Sequence, residues 1–325
     1  MNSQQIFDIE NEDEFADRCL RIFRHQASRN KVYADFIDLL GISPENIDEL
    51  RKIPFLPIQF FKSHQVVVSP MEAEAVFTSS GTTGSVTSRH VVGNLNLYRE
   101  SFTKAFNLFY GPIENYTILA LLPSYLERKG SSLVYMADEL IRRSDSPDSG
   151  FYLNNLQDLS EKLQDLDKKG EQILLLGVSF ALLDLIGIKR FKLKNTIVME
   201  TGGMKGKRKE MVREELHRIL KHGFGVDRIH SEYGMTELLS QAYSDGEGVF
   251  NCPPWMKISI RDPEDPFSYL KKGRTGGVNV IDLANFNSCS FIATQDLGRI
   301  RTDGSFEIVG RFDHSDIRGC NLMVV

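Results

Sequence analysis

Apolar residues in the middle of this chain fall in short continuous runs rather than in alternation, and that pattern narrows the fold most. Segments 117–122, 172–177 and 196–200 are largely apolar, and 75–78 and 228–231 are shorter strand candidates. A strand with one wet face alternates, whereas a strand covered on both faces does not. Between these runs, 97–109, 132–141, 156–168 and 209–221 carry helical spacing. Strand and helix in alternation predict an α/β fold with a mostly parallel central sheet covered by helices. Beyond Asp245 the texture turns to short strands and Gly/Pro turns, as at 277–283 and 291–294, which predicts a β-rich subdomain. Near the start, Phe15, Cys19, Leu20 and Phe23 sit at helical spacing, and Ile53-Pro54-Phe55-Leu56-Pro57 reads as rigid and extended. The expected division is a helical region at 1–60, an α/β core at 61–245 and a β-rich part at 246–325.

Composition excludes some partners. A net charge of -5 leaves no basic footprint for nucleic acid. The dense basic run Lys205-Gly206-Lys207-Arg208-Lys209 opens a helical pattern, so it suits a solvated helix face or an anion site. The apolar stretch 173–188 is interrupted by Ser179 and Asp184 and falls short of the ~20 residues that span a bilayer. The first residues lack the basic-then-apolar pattern of a secretory signal. Cysteines at 19, 252, 289 and 320 have no paired short spacing, so neither a zinc cluster nor a disulfide framework is expected. A cytoplasmic protein without integral membrane association is the resulting expectation.

Two stretches carry candidate chemistry. Phe77-Thr78-Ser79-Ser80-Gly81-Thr82-Thr83-Gly84-Ser85 offers hydroxyls and permissive backbone, which suit a loop folded round phosphate oxygens. It is not a Walker loop, because there is no lysine between Lys62 and Lys104 and strand is expected on both sides. A Gly/Ser/Thr-rich surface turn has the same composition, so the loop alone leaves both readings open. Further on, 228–237 reads as strand, turn and helix start. Tyr233-Gly234-Met235-Thr236-Glu237 supplies an aromatic face, a hydroxyl and a carboxylate able to hold a metal. Its structural alternative makes Thr236 a helix N-cap with Glu237 in the first turn. A helix N-terminus also favours phosphate, so the two readings are compatible.

Together and in this order, the stretches resemble the adenylate-forming enzymes, the acyl-CoA synthetases and firefly-type luciferases among them, which couple a carboxylic acid to AMP. Ser79 to Gly84 is similar to that family's T-S-G-T-T-G loop, with Ser79 in the threonine slot, and Tyr233 to Glu237 matches Y-G-x-T-E without a gap. The resemblance implies an adenylate-forming N-terminal-type domain that uses ATP and Mg²⁺. It implies that Ser79, Ser80, Gly81, Thr82, Thr83 and Gly84 line the triphosphate. In the second motif, which includes Gly234 and Met235, Tyr233 would lie against adenine, Thr236 would contact the α-phosphate and Glu237 would bind the metal. Glu200-Thr201-Gly202-Gly203 falls where the family builds its adenine pocket, which brings in Gly202 and Gly203. Thr294-Gln295-Asp296 resembles the T-G-D segment, with Gln295 in place of glycine, and implies that Asp296 binds ribose. Gly310-Arg311-Phe312-Asp313 is similar to the G-R-x-D hinge, making Arg311 a second ribose or phosphate contact. The family's lysine after the loop is missing, and Arg89 is the nearest electrostatic substitute.

In coenzyme A ligases the hinge precedes a mobile domain with a catalytic lysine, whereas here the sequence runs only from Asp313 to Val325. Arg318-Gly319-Cys320 looks like the ending of the acyl-protein synthetases of the bacterial bioluminescence fatty acid reductase complex. Leu122 to Arg128 and Pro253-Pro254-Trp255-Met256 look familial too, so the resemblance spans 63–325. It implies activation of a carboxylic, fatty acid as acyl-AMP, transfer to Cys320 and delivery to a partner protein such as a reductase. A thiolate is a competent nucleophile toward a mixed anhydride, and Arg318 would favour the thiolate. A stray cysteine at a frayed terminus is the plain alternative, and Cys19, Cys252 and Cys289 are expected to be inert. Two further readings stay open: delivery of the acyl group to coenzyme A, another carrier or an amine, and a degenerate nucleotide-binding subunit.

Overall fold

The structure, a computed structural model, describes residues 3–79, 86–123, 130–153, 155–202 and 211–312. Its central sheet is built from the apolar runs. Strands β4 (Thr117–Leu121), β5 (Gly150–Tyr152), β6 (Ile173–Val178), β7 (Thr196–Thr201), β8 (His230–Tyr233) and β9 (Ala242–Ser244) lie in the order β5-β4-β6-β7-β8-β9. All pairings are parallel except β8 with β9. Every residue of β4 and β6 is buried. A fully buried leucine contributes roughly 1.5–3 kcal/mol, so Leu119, Leu121, Leu174, Leu175 and Leu176 make these strands the spine of the core. Helices Leu95–Tyr110, Ser132–Arg143, Leu156–Lys169, Ser179–Ile188 and Arg213–Phe224 connect and cover the strands. The last of these stops at Gly225, whose φ of +68° suits a left-handed cap and whose added Cβ would lie 2.6 Å from the Phe191 carbonyl oxygen.

The β-rich part is a second sheet of β10 (Val249–Phe250), β11 (Met256–Arg261), β12 (Gly276–Asp282), β13 (Phe291–Ile300) and β14 (Phe306–Arg311), in the order β10-β14-β13-β12-β11. A short strand from the N-terminal region, β1 (Leu56–Pro57), pairs in parallel with Ile292 and Ala293 of β13. Strands β2 (Ala75–Thr78) and β3 (Arg89–Val92) form a separate antiparallel pair, as expected for a hairpin around the first candidate loop.

The Glu12–Arg29 helix is capped by Asn11, whose side chain accepts from the Glu14 amide at 2.9 Å. Phe15, Cys19, Ile22 and Phe23 are buried on it. Two polar residues join them, because Gln26 and Asn30 are fully buried. Gln26 donates to the carbonyls of Asn285 and Phe286 and accepts from the Ser290 amide, at 2.9 to 3.0 Å. Asn30 donates to the Ser288 carbonyl at 2.9 Å. The N-terminal helices are thus bolted to the turn between β12 and β13.

Two sequence expectations need correction. The strand expected at 228–231 runs two residues later, His230–Tyr233. No helix begins at Thr236: residues 234–241 form a turn and irregular chain leading into β9. The physical reason is Asp282, whose fully buried carboxylate accepts from the amides of Leu239 at 2.8 Å and Ser240 at 2.9 Å. Leu238, Leu239 and Ser240 are drawn into the interior and tied to β12 instead of coiling. The N-cap alternative for Thr236 falls with the helix.

Candidate active site

In open α/β sheets, ligands bind beyond the carboxyl ends of the strands, near the point where strand order reverses. Here β5 and β6 flank β4 on opposite sides. The carboxyl ends of β7 and β8 deliver Thr201-Gly202 and Tyr233 to Glu237 to that edge. Gly202 is exposed with φ of +72°, and its carbonyl accepts from the Ser179 hydroxyl at 3.0 Å. Behind it, Glu200 is held by the hydroxyls of Ser179 and Ser231.

The candidate phosphate loop springs from a closed base. The Ser79 hydroxyl accepts from the Ser88 amide at 2.9 Å, and the Ser79 amide donates to the Ser88 carbonyl at 3.1 Å. The Ser88 hydroxyl bonds the Glu237 carboxylate. One fully buried neighbour adds a second tie: His90 Nδ1 lies 2.8 Å from the Thr236 carbonyl oxygen. The base of the first motif therefore touches the second across about 150 positions of sequence. Ser80, Gly81, Thr82, Thr83 and Gly84, with Gly203 and Cys320, lie outside the described residues, as does Lys205 to Lys209.

The third and fourth motifs arrive from the β-rich sheet. Asp296 lies within β13, not in a loop, directly across from Arg311 of β14. Arg311 Nε is 3.0 Å from Asp296 Oδ1, while the Tyr233 hydroxyl donates to Oδ2 at 2.9 Å. The Tyr233 ring packs against Phe250 and Phe306, with centroids 5.9 and 5.6 Å away. Arg261 supports this strand from behind, donating to the carbonyls of Val278 and Thr294.

Electrostatics join these pieces. Burial pushes the Glu237 carboxyl above its usual range, opposed by the Ser88 hydrogen bond and by the positive charges of Arg311 and Lys62. Arg311 thus serves both Asp296 and Glu237. Burial raises Glu232 to about 7, with the Thr201 hydroxyl bond opposing it and the Glu200 charge adding to it. Gly234 is small for a local reason: an added Cβ would sit 2.3 Å from Glu232 Oε1. Burial also raises Tyr233 and lowers His90 to about 4.

The residues fit the groups that the motifs imply. A carboxylate has about four lone-pair sites, and among the described residues the Tyr233 hydroxyl and Arg311 take Asp296, which leaves capacity for ribose hydroxyls. Glu237 is a hard oxygen donor next to a hydroxyl and positive charge, the donor type that Mg²⁺ takes alongside phosphate oxygens. Among the described residues no group of three or more His, Cys, Asp or Glu forms a metal cluster. Cys19 and Cys289 are buried, Cys252 is half-buried, and all three thiols are pushed up by burial, Cys289 to about 12.

The sequence of this chain matches the family model described as acyl-protein synthetase, LuxE, over residues 125–325. The chain belongs to the LuxE acyl-protein synthetase family. No curated protein matches its sequence significantly. An open conformation of 2-hydroxyisobutyryl-CoA ligase in complex with 2-HIB-AMP and CoA is similar in structure, with a TM-score of 0.67 and 13% identity, over 93% of this chain and 75% of that one. ATP-bound MatB from Rhodopseudomonas palustris is similar over 74% of this chain and 48% of its own, with a TM-score of 0.55 and 19% identity. This LuxE-family chain spans about half the length of the MatB chains it matches. At these identities the likeness establishes the fold, which is that of the adenylate-forming ligases.

Sequence reasoning missed His90, Asp282 and Asn285. His90 reads as one more strand residue, and the other two act on backbone groups, which leaves no motif. Asp282 had one weak signal, a carboxylate ending a buried strand.

Proposed function

We propose that this chain activates a carboxylic acid with ATP as an acyl-adenylate, passes the acyl group to its own Cys320 and delivers it to a partner protein. The observation that carries the adenylation step is the meeting of Ser88, Glu237, Arg311, Asp296 and Tyr233 at one end of two sheets.

In this reading the hydroxyls and amides of 79–84 hold the β- and γ-phosphates, Tyr233 and the Gly202-Gly203 pair bound the adenine, and Asp296 accepts from the ribose hydroxyls. Thr236 orients the α-phosphate. Glu237 would hold Mg²⁺, which when bound would supply charge neutralisation between an incoming carboxylate and the phosphate oxygens. Arg311 adds a positive charge on the same side, favouring a reaction in which two anions must meet. The acid's carboxylate oxygen forms a bond to the α-phosphorus, and pyrophosphate leaves with the bonding electrons. The Cys320 thiolate then attacks the acyl carbon, AMP leaves, and a thioester remains on the chain. In this reading a fatty acid is the substrate class and a reductase the partner class. Among the described residues no helix is long and apolar enough to cross a membrane.

Incubation with ATP, Mg²⁺ and labelled fatty acids tests both steps. The expected results are acid-dependent ATP–pyrophosphate exchange and a hydroxylamine-sensitive protein adduct. Cys320→Ala should keep the exchange and lose the adduct, and equal labelling of that variant refutes the carrier step. Release of acyl-CoA without any adduct would instead assign coenzyme A as acceptor. Tight ATP binding without exchange across a panel of acids would mark a non-catalytic subunit.

A further inference from the structure

Two fully buried side chains outside every motif hold the consecutive carbonyls of Thr236 and Glu237. His90 comes from β3, on the hairpin that carries the candidate phosphate loop. A carbonyl oxygen only accepts, so its 2.8 Å contact with the Thr236 carbonyl requires the proton on His90 Nδ1. Nε2 of the same ring is buried without a hydrogen-bond partner among the described residues, and Phe61 packs edge-on against the ring at 5.6 Å. Asn285 comes from the turn between β12 and β13. Its amide nitrogen donates to the Glu237 carbonyl at 2.7 Å and to the Cys289 carbonyl at 3.2 Å. A flipped amide would set oxygen against two carbonyls, so its orientation is fixed by the network.

The peptide they hold has little regular structure of its own. Residues 234–241 are neither helix nor strand, and the Leu238 amide to the Met235 carbonyl at 3.0 Å closes a single turn. Consecutive carbonyls, 236 and 237, are each taken by a side chain from a different part of the chain. Those two bonds set the peptide planes on either side of the Glu237 Cα, and hence the direction of its side chain. Angular control of this kind matters at a reacting centre, where a 1 Å misplacement costs about 100-fold.

We propose that His90 is a positioning residue for adenylation: it fixes the Thr236-Glu237 peptide relative to the phosphate loop, with Asn285 fixing the other carbonyl. The inference rests on the functional reading above and adds the element that makes two distant motifs act as one site. His90 touches no substrate in this scheme; it acts through the peptide.

Three substitutions separate this role from simple packing. Asn can place an amide donor near the Nδ1 position, Gln places one near Nε2, and Phe fills the space with no donor. ATP–pyrophosphate exchange at saturating acid should fall in kcat by roughly tenfold in His90→Phe, the size of one buried hydrogen bond. KM for ATP should move less. His90→Asn should recover most of that loss and His90→Gln should not. Hydrogen exchange read by mass spectrometry gives a readout apart from activity. Amides in 236–241 should exchange faster in His90→Phe and in Asn285→Leu, and stay protected in His90→Asn. Unchanged exchange and activity in His90→Phe overturns the inference while leaving the adenylation reading in place. So does equal loss in all three variants that tracks their melting temperatures. A wild-type chain with no pyrophosphate exchange overturns both.

Discussion

Replacing Glu232 by Gln should make the protein more stable above neutral pH, by an amount that the burial of this one carboxyl fixes. Glu232 accepts a hydrogen bond from the Thr201 hydroxyl, lies against Gly234 and is raised from 4.5 to about 7 chiefly by burial. Below pH 4.5 the group is protonated in folded and unfolded chains alike, and its contribution is fully present. As pH rises, the unfolded chain ionises first and draws the equilibrium toward itself. The loss continues until the folded group titrates near 7 and is constant above. At 1.36 kcal/mol per unit, the shift corresponds to at most about 3–4 kcal/mol, and the residue's partial surface exposure makes this an upper bound. Gln keeps an oxygen for Thr201 and has nothing to titrate. Urea unfolding at pH 5 and pH 8 should therefore show the stability gap between Glu232→Gln and wild type growing in the variant's favour by about 2 kcal/mol. A gap that is the same at both pH values would refute the reasoning, because it would mean that Glu232 ionises as freely inside the fold as outside.

Other substitutions probe the supports of the site. Asp282→Ala strands the amides of Leu239, Ser240 and Ala284 in the interior; at roughly 1–3 kcal/mol per unsatisfied group, the urea midpoint should fall by an amount equivalent to 3 kcal/mol or more. Arg311→Ala removes a half-exposed guanidinium from Asp296, so stability should change by under about 1 kcal/mol while KM for ATP rises several-fold in the exchange assay. Gln26→Leu leaves the Ser290 amide and two carbonyls without their partner, and a loss of about 2–4 kcal/mol is expected, with faster amide exchange at 285–290. An unchanged exchange pattern there would show that the helix contributes packing alone.

Local pattern exposed the central sheet well, because β4 and β6 are buried along their whole length and are built almost entirely from apolar residues. It misjudged 234–241, since the sequence after Thr236 is compatible with a helix and only a carboxylate more than forty positions away decides otherwise. The extension of β13 through Asp296 to Ile300 was hidden for a similar reason: its polar and charged residues satisfy β14 rather than any local rule. Within the candidate site, Tyr233, Thr236, Glu237, Asp296 and Arg311 were singled out because their order along the chain echoes a known family. The groups that hold them, His90 and Asn285, bind main-chain oxygens, and a main-chain oxygen leaves no trace in the sequence of its partner.

The turn at 285–290 answers to the first thirty residues as much as to its own sheet, through Gln26 and Asn30. The stretch by which kinship is recognised starts at 125, so the Gln26 and Asn30 half of this clasp and the 79–84 loop fall upstream of it. Cutting the gene at that border would yield one jaw of a vice without its opposing jaw or its frame. Grafting this chemistry onto another protein would accordingly demand transplanting the leading helices along with the signature segments.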